Sequence, residues 1–193
     1  MSIVEAEAAQ NMTPMTYVLK RGREGRSADY AWTGRHGANM RIFDFLHYDS
    51  IIESLKASSK QEVLVELVEP VARANPDLDK AGLIRTLIER ENLGSTGIGG
   101  GVAIPHGKFD GLHHLAASFG RSVEGVDFGS MDSRPAHLFF LLVAPKNFAG
   151  DHLKALARIS RLFKDPLLKT GLRHAQSTEE IFTILKEYDE RLP

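Results

Sequence analysis

Seven consecutive apolar residues, Leu138 to Ala144, stand between Pro135 and Pro145 and constrain this chain more than any other segment. The run is far shorter than the ~20 residues that a bilayer-spanning helix needs, so it reads as a buried strand. Two further β-favouring runs, Val102 to Pro105 and Leu115 to Phe119, lie upstream among Gly, Asp, Ser and Pro, and with His137 to Val143 they supply strands of one sheet.

Helical spacing brackets these strands on both sides. From Asp49 the pattern predicts a first helix, with Ile51, Ile52 and Leu55 on one stripe. Ser59 and Glu62 form an S-x-x-E capping box ahead of Val63, Leu64, Leu67 and Val68, and Asn75-Pro76-Asp77 ends that second helix. A third starts near Asp79, carries Leu83, Ile84, Leu87 and Ile88 on one face, and stops at Glu89-Arg90-Glu91-Asn92 before Gly94. Helices return at Asp151 to Lys164 and at Ser177 to Tyr188, where Ser177 and Glu180 repeat the capping box. Helices, then a sheet, then helices predict an α/β fold: a single layered domain over residues 41–193, with a mixed β-sheet flanked by α-helices. Residues 1–40 show no sustained apolar period and are expected to be a disordered leader.

Charge narrows the function. With 24 Lys+Arg against 25 Asp+Glu there is no basic excess of the kind that phosphate-backbone binding requires, so nucleic acid is not an expected partner, and neither is membrane insertion. Cysteine is absent, which removes disulfides, thiolate catalysis and cysteine-based zinc sites and leaves a cytoplasmic address as the default. No metal site is expected: His113 and His114 are adjacent and so diverge on any strand, and His137, His152 and His174 lack ligand spacing. A metal hydrolase is the weaker alternative.

The densest chemistry lies between Gly94 and Lys108, Gly-Ser-Thr-Gly-Ile-Gly-Gly-Gly-Val-Ala-Ile-Pro-His-Gly-Lys. Its glycines precede a strand, whereas a Rossmann turn follows one, and no Gly-Lys-Ser/Thr is present for a P-loop. A flexible loop is one reading. The other is that Pro105 holds Ile104 extended and presents His106 at a stiff strand end, with glycine N–H groups free to approach an anion. Imidazole has an ordinary pKa of ~6.5, so a neutral nitrogen nucleophile is available for phosphoryl transfer.

The string from Thr96 to Lys108 resembles the phosphorylation-site signature of the fructose/mannitol-type (type 2) IIA domains of the bacterial phosphoenolpyruvate-dependent phosphotransferase system. The likeness continues through Leu138 to Pro145, Asp151-His152-Leu153 and Phe163-Lys164-Asp165, covering about residues 41 to 190. The Gly94-Ser95-Thr96 lead-in is most similar to the nitrogen-regulatory, PtsN-type branch. Gly100 departs from the pattern, standing where a polar residue is frequent.

That resemblance implies a phosphocarrier in which His106 accepts the group through Nε2 from a phosphohistidine on an HPr-like protein, either HPr itself or its nitrogen-branch counterpart NPr. It implies a second active-site histidine at His152, beside a helix start, and a phosphoryl-facing guanidinium at Arg90. Ser95, Thr96, Gly97, Gly99 and Lys108 are the candidate phosphate-binding residues; capping or turn roles explain Ser95 and Thr96 nearly as well. No cofactor is implied, since the donor brings its own activated phosphate. Downstream partners in a regulatory role would be potassium transporters, sensor kinases or metabolic enzymes. A sugar-specific IIA that passes phosphate to a IIB domain is the alternative within the family, and a non-catalytic binding module the alternative outside it.

Overall fold

The computed structural model describes residues 40–193, so the expected leader lies, Met40 apart, outside the described residues. The apolar run forms β6 (Ala136–Ala144), on which the sheet is built. β5 (Ala116–Val126) pairs with one side of it antiparallel, and β3 (Val102–Ala103) and β4 (His106–Lys108) pair in succession with the other side, both parallel. β1 (Leu46–Ile52) extends the sheet parallel to β5, and β2 (Gly97–Gly99) closes the far edge antiparallel to β3, giving the order β1-β5-β6-β3-β2.

An uninterrupted apolar strand is needed here because both faces of β6 are covered. Leu138, Phe140, Leu142 and Ala144 pack with Ala155, Ile159, Leu168, Leu172, Ile181 and Leu185, which come from α3 (Ala149–Leu162), α4 (Pro166–His174) and α5 (Thr178–Arg191). Phe139, Leu141 and Val143 pack instead with Val63, Leu64, Leu67, Leu83 and Leu87 of α1 (Lys60–Ala74) and α2 (Lys80–Asn92). The result is three layers, two helices against one face and three against the other. Each of these fully buried Leu or Phe side chains stabilises the fold by about 1.5–3 kcal/mol of transfer free energy.

Helix starts follow their caps. Ser59 Oγ accepts the Glu62 N–H at 3.3 Å while Glu62 accepts the Ser59 N–H at 3.1 Å, a reciprocal box. At α5 only half of that motif forms: Ser177 Oγ accepts from Glu180 N at 3.2 Å, but the Glu180 carboxylate takes the N–H of Gln176. The helix expected from Asp49 is instead strand β1. Ile51, Ile52 and Leu55 satisfy a helical spacing, yet Ile51 and Ile52 pack into opposite layers at the end of the strand, and parallel pairing with β5 decides the matter. α4 is an element the pattern did not predict, although Asp165 caps it at Leu167 N and Leu168 N and Pro166 opens it.

One buried ion pair ties the α3 to α5 layer together. Asp189 is 1% exposed; it accepts from Arg158 Nε at 2.5 Å and from the backbone N–H of Ile42 at 3.0 Å.

Candidate active site

Ile104 and Pro105 separate β3 from β4. Pro105 has no N–H to give, but its carbonyl accepts Leu142 N–H at 2.9 Å, so β6 stays paired across the break and His106 resumes the register opposite Leu142. The break frees the Ile104 carbonyl, which sits 2.8 Å from His106 Nδ1. A carbonyl only accepts, so Nδ1 carries the hydrogen and Nε2 carries the lone pair. Nε2 faces Arg90 Nη2 at 3.3 Å, and Arg90 Nη1 donates to the Gly94 carbonyl at 3.0 Å. His152, on the first turn of α3, brings its ring to 5.7 Å from that of His106. Its own N–H is taken by the Phe148 carbonyl, and its Nε2 is buried without a hydrogen-bond partner.

Burial lowers the pKa of His106, and the nearby Arg90 cation lowers it further against the opposing pull of the Ile104 carbonyl and Glu91. Burial, with the adjacent His106 and Lys108 charges, pushes His152 from 6.5 down to about 4. Both rings are therefore neutral at neutral pH, which leaves a lone pair on His106 Nε2. The unfolded chain binds protons at His152 more readily than the folded one, so this contribution to stability is complete above 6.5 and is lost as pH falls toward about 4. Urea titrations should show that loss in the wild type and a flatter profile in His152→Gln; equal slopes would show that His152 is not held neutral by the fold.

An imidazole with a free Nε2, a guanidinium beside it and a second buried imidazole is an arrangement suited to receiving a phosphoryl group. The family described as "Phosphoenolpyruvate-dependent sugar phosphotransferase system, EIIA 2" matches residues 44–188. The chain belongs to this EIIA type 2 family. EIIA domains act as phosphoryl carriers, and this chain is one. It is 40% identical over 146 residues to a nitrogen regulatory protein of Bradyrhizobium diazoefficiens, covering 76% of this chain and 95% of that one. It is 35% identical over 150 residues to the fructose-specific EIIABC component of Bacillus subtilis, covering 78% of this chain but 24% of that much longer one. The crystal structure of the nitrogen regulatory protein IIA-Ntr from Neisseria meningitidis superposes with a TM-score of 0.70 at 34% identity, covering 75% of this chain and 98% of that one.

Within this EIIA domain the three groups expected to act on the phosphoryl, Arg90, His106 and His152, converge. Lys108 projects from the end of β4, exposed, and its charge reaches His152. Ser95 and Thr96 do not offer free hydroxyls: Ser95 Oγ donates to the Phe128 carbonyl at 2.9 Å and accepts from Gly97 N, and Thr96 Oγ1 donates to Glu91 at 2.6 Å. Gly97 is pressed against Ser130, whose Oγ would lie 2.5 Å from any added Cβ.

Gly99, Gly100 and Gly101 all have positive φ and make the turn of the β2 to β3 hairpin. That turn meets β6 at His137 and Leu138, four residues before Leu142, which places it about 13 Å along the strand from His106 at ~3.3 Å per residue. The Gly100 N–H is moreover given to the Asp132 carboxylate at 2.8 Å. The Gly99 to Gly101 part of the expected cradle is thus a turn set apart from His106, with one of its N–H groups already taken. Gly99→Val, at φ +83° with Asp132 Cγ 3.2 Å from the new Cβ, should cost about 1–2 kcal/mol of stability. Its phosphorylation per folded molecule should stay near normal; a selective loss of transfer in a stable variant would restore the cradle. Glu91, which the sequence pattern left in the polar helix end, proves to be buried here, its carboxylate joined at 3.1 Å to the partly exposed Lys60.

Proposed function

We propose that residues 41–193 form a regulatory phosphocarrier that takes its phosphoryl group on His106 Nε2 from a phosphohistidine of an HPr-like protein. The carrying observation is the Nδ1 bond to the Ile104 carbonyl, which leaves Nε2 as the nucleophile. In the transfer the Nε2 lone pair forms the new P–N bond while the donor's P–N bond breaks and its electron pair returns to the donor imidazole. Arg90 moves Nη2 from His106 Nε2 to a phosphoryl oxygen while Nη1 stays on the Gly94 carbonyl, and His152 supplies a second donor from its unpartnered Nε2. The cationic phosphoimidazole keeps its Nδ1 hydrogen bond to Ile104.

The nitrogen regulatory proteins among its relatives support the regulatory role; a cytoplasmic location and potassium transporters or sensor kinases as effectors complete the proposal. The similarity to the fructose-specific EIIABC component supports a second reading, transfer to a IIB domain. Phosphorylating the purified chain with labelled phosphoenolpyruvate and the upstream carriers, then offering IIB domains and sugar-competent membranes, separates the two. Retention of label supports regulation, and passage to IIB and sugar sinks it. His152→Ala should still accept phosphate, but with a barrier raised by about 3 kcal/mol, a loss of roughly two orders of magnitude in rate. Rapid-quench kinetics would show an unaltered rate if His152 were only packing.

A further inference from the structure

Glu91 is 5% exposed in the last turn of α2, where a carboxylate opposes the helix dipole and loses its hydration. No step of the phosphoryl transfer uses it directly, yet its carboxylate is linked to Nδ1 of the acceptor ring, while its backbone carbonyl anchors the turn that meets Arg90 at Nε2. Glu91 Oε2 accepts from Thr96 Oγ1 at 2.6 Å and from Thr96 N–H at 2.9 Å, and Oε1 accepts from Lys60 Nζ at 3.1 Å. The carbonyl of Thr96 then accepts Ile104 N–H at 3.0 Å, and the carbonyl of Ile104 accepts His106 Nδ1–H at 2.8 Å. Along the other route, the backbone carbonyl of Glu91 accepts Gly94 N–H at 3.2 Å. The Gly94 carbonyl accepts Arg90 Nη1 at 3.0 Å, and Arg90 Nη2 meets His106 Nε2 at 3.3 Å.

We infer that Glu91, with Lys60 as its counter-ion, is a positioning residue for phosphoryl transfer: it fastens Gly94 to Thr96 onto α2 and so holds His106 as the Nδ1–H tautomer, with Nε2 open to the incoming phosphorus. This rests on the reading of His106 as the acceptor. A buried carboxylate is a poor way to stabilise a fold, since a well-packed apolar side chain does as well or better. Its geometric effect on His106 accounts for a charge in that position. It also accounts for Thr96, whose hydroxyl and N–H both serve Glu91 and leave no free donor for phosphate.

The test uses the whole chain and two kinds of variant. Glu91→Gln keeps the shape and removes the charge; Thr96→Val removes the hydroxyl donor and Thr96→Ser retains it. Ring nitrogen NMR of His106 reports the tautomer, labelled HPr-like donor reports the transfer rate, and urea unfolding reports the folded fraction. In wild type and Thr96→Ser the Nδ1–H form should dominate. In Glu91→Gln and Thr96→Val the two tautomers should mix, and transfer per folded molecule should drop by about tenfold to a hundredfold, as expected for a misplaced nucleophile. An unchanged tautomer population overturns the inference, and so does an unchanged rate per folded molecule. Should Glu91→Gln fail to fold, the Thr96 pair decides alone by the same criteria. If the wild type itself takes label at a residue other than His106, it is the acceptor assignment that fails, whatever the Glu91 result.

Discussion

His106→Ala is expected to take up no phosphoryl group at all from an HPr-like donor. The side chain lost is the one whose Nε2 offers the lone pair, and no other nucleophile stands in the same place, for the His152 ring lies 5.7 Å away and Lys108 is exposed at the strand end. The fold should survive. The ring is only partly buried and makes two bonds, Nδ1 to the Ile104 carbonyl just ahead of β4 and Nε2 with Arg90, so its removal should cost about 1–2 kcal/mol. Mass spectrometry of the donor-treated variant, with circular dichroism on the same sample, checks both halves. Stoichiometric label on a folded His106→Ala chain, for instance at His152, would move the acceptor 5.7 Å away to the second ring and reverse the two roles.

The second large effect concerns stability and should leave chemistry alone. Asp189→Ala strands Arg158, 5% exposed, without its carboxylate and takes away the acceptor for Ile42 N–H. Breaking a buried pair by deleting one partner costs about 3–5 kcal/mol, because the remaining charge stays buried. For a domain of this size that is a fall in Tm of some 10 °C or more at about 2–4 °C per kcal/mol. Transfer per folded molecule should match the wild type, since neither residue touches Arg90, His106 or His152. Changing both residues to apolar side chains of similar volume should recover much of the loss. A Tm within a degree or two of wild type in Asp189→Ala would show that the pair carries little net energy.

The sequence was most legible where local chemistry and final environment agree. Ser59 and Asp79 cap the helices they mark, and Val63, Leu64, Leu67, Leu83 and Leu87 face one layer of the core as their spacing requires. β1 was misread because its exposed His47-Tyr48-Asp49 stretch carries no apolar alternation and its last residues, Ile51 and Ile52, face opposite layers of the core, leaving Ile51, Ile52 and Leu55 to mimic a helical stripe. α4 was missed because nine residues interrupted by Thr170 and Gly171 carry too short an apolar period, so its cap was the only strong signal. In the site, the motif located His106, and the resemblance located His152 and Arg90, all three of which converge. The glycines show the limit of residue type: positive φ could be anticipated, but whether that turn lies beside His106 depends on the register of β3 against β6. Glu91 was illegible because its meaning depends on Lys60, which lies far upstream, and on the path of the chain through Thr96.

β6 also determines when the site can exist. Its antiparallel partner β5 is the neighbour nearest in sequence, whereas β1 joins β5 only after two helices and the glycine hairpin have been spanned, and β4 must be brought to β6 in parallel. Pairings between distant segments carry the loop-closure cost that slows folding, and parallel ones are intrinsically late. Arg90 arrives on α2, His106 on β4 and His152 on α3, so the site exists only once β4 and both helices are docked on β6. The ability to take up a phosphoryl group therefore reports that these three elements are in place together.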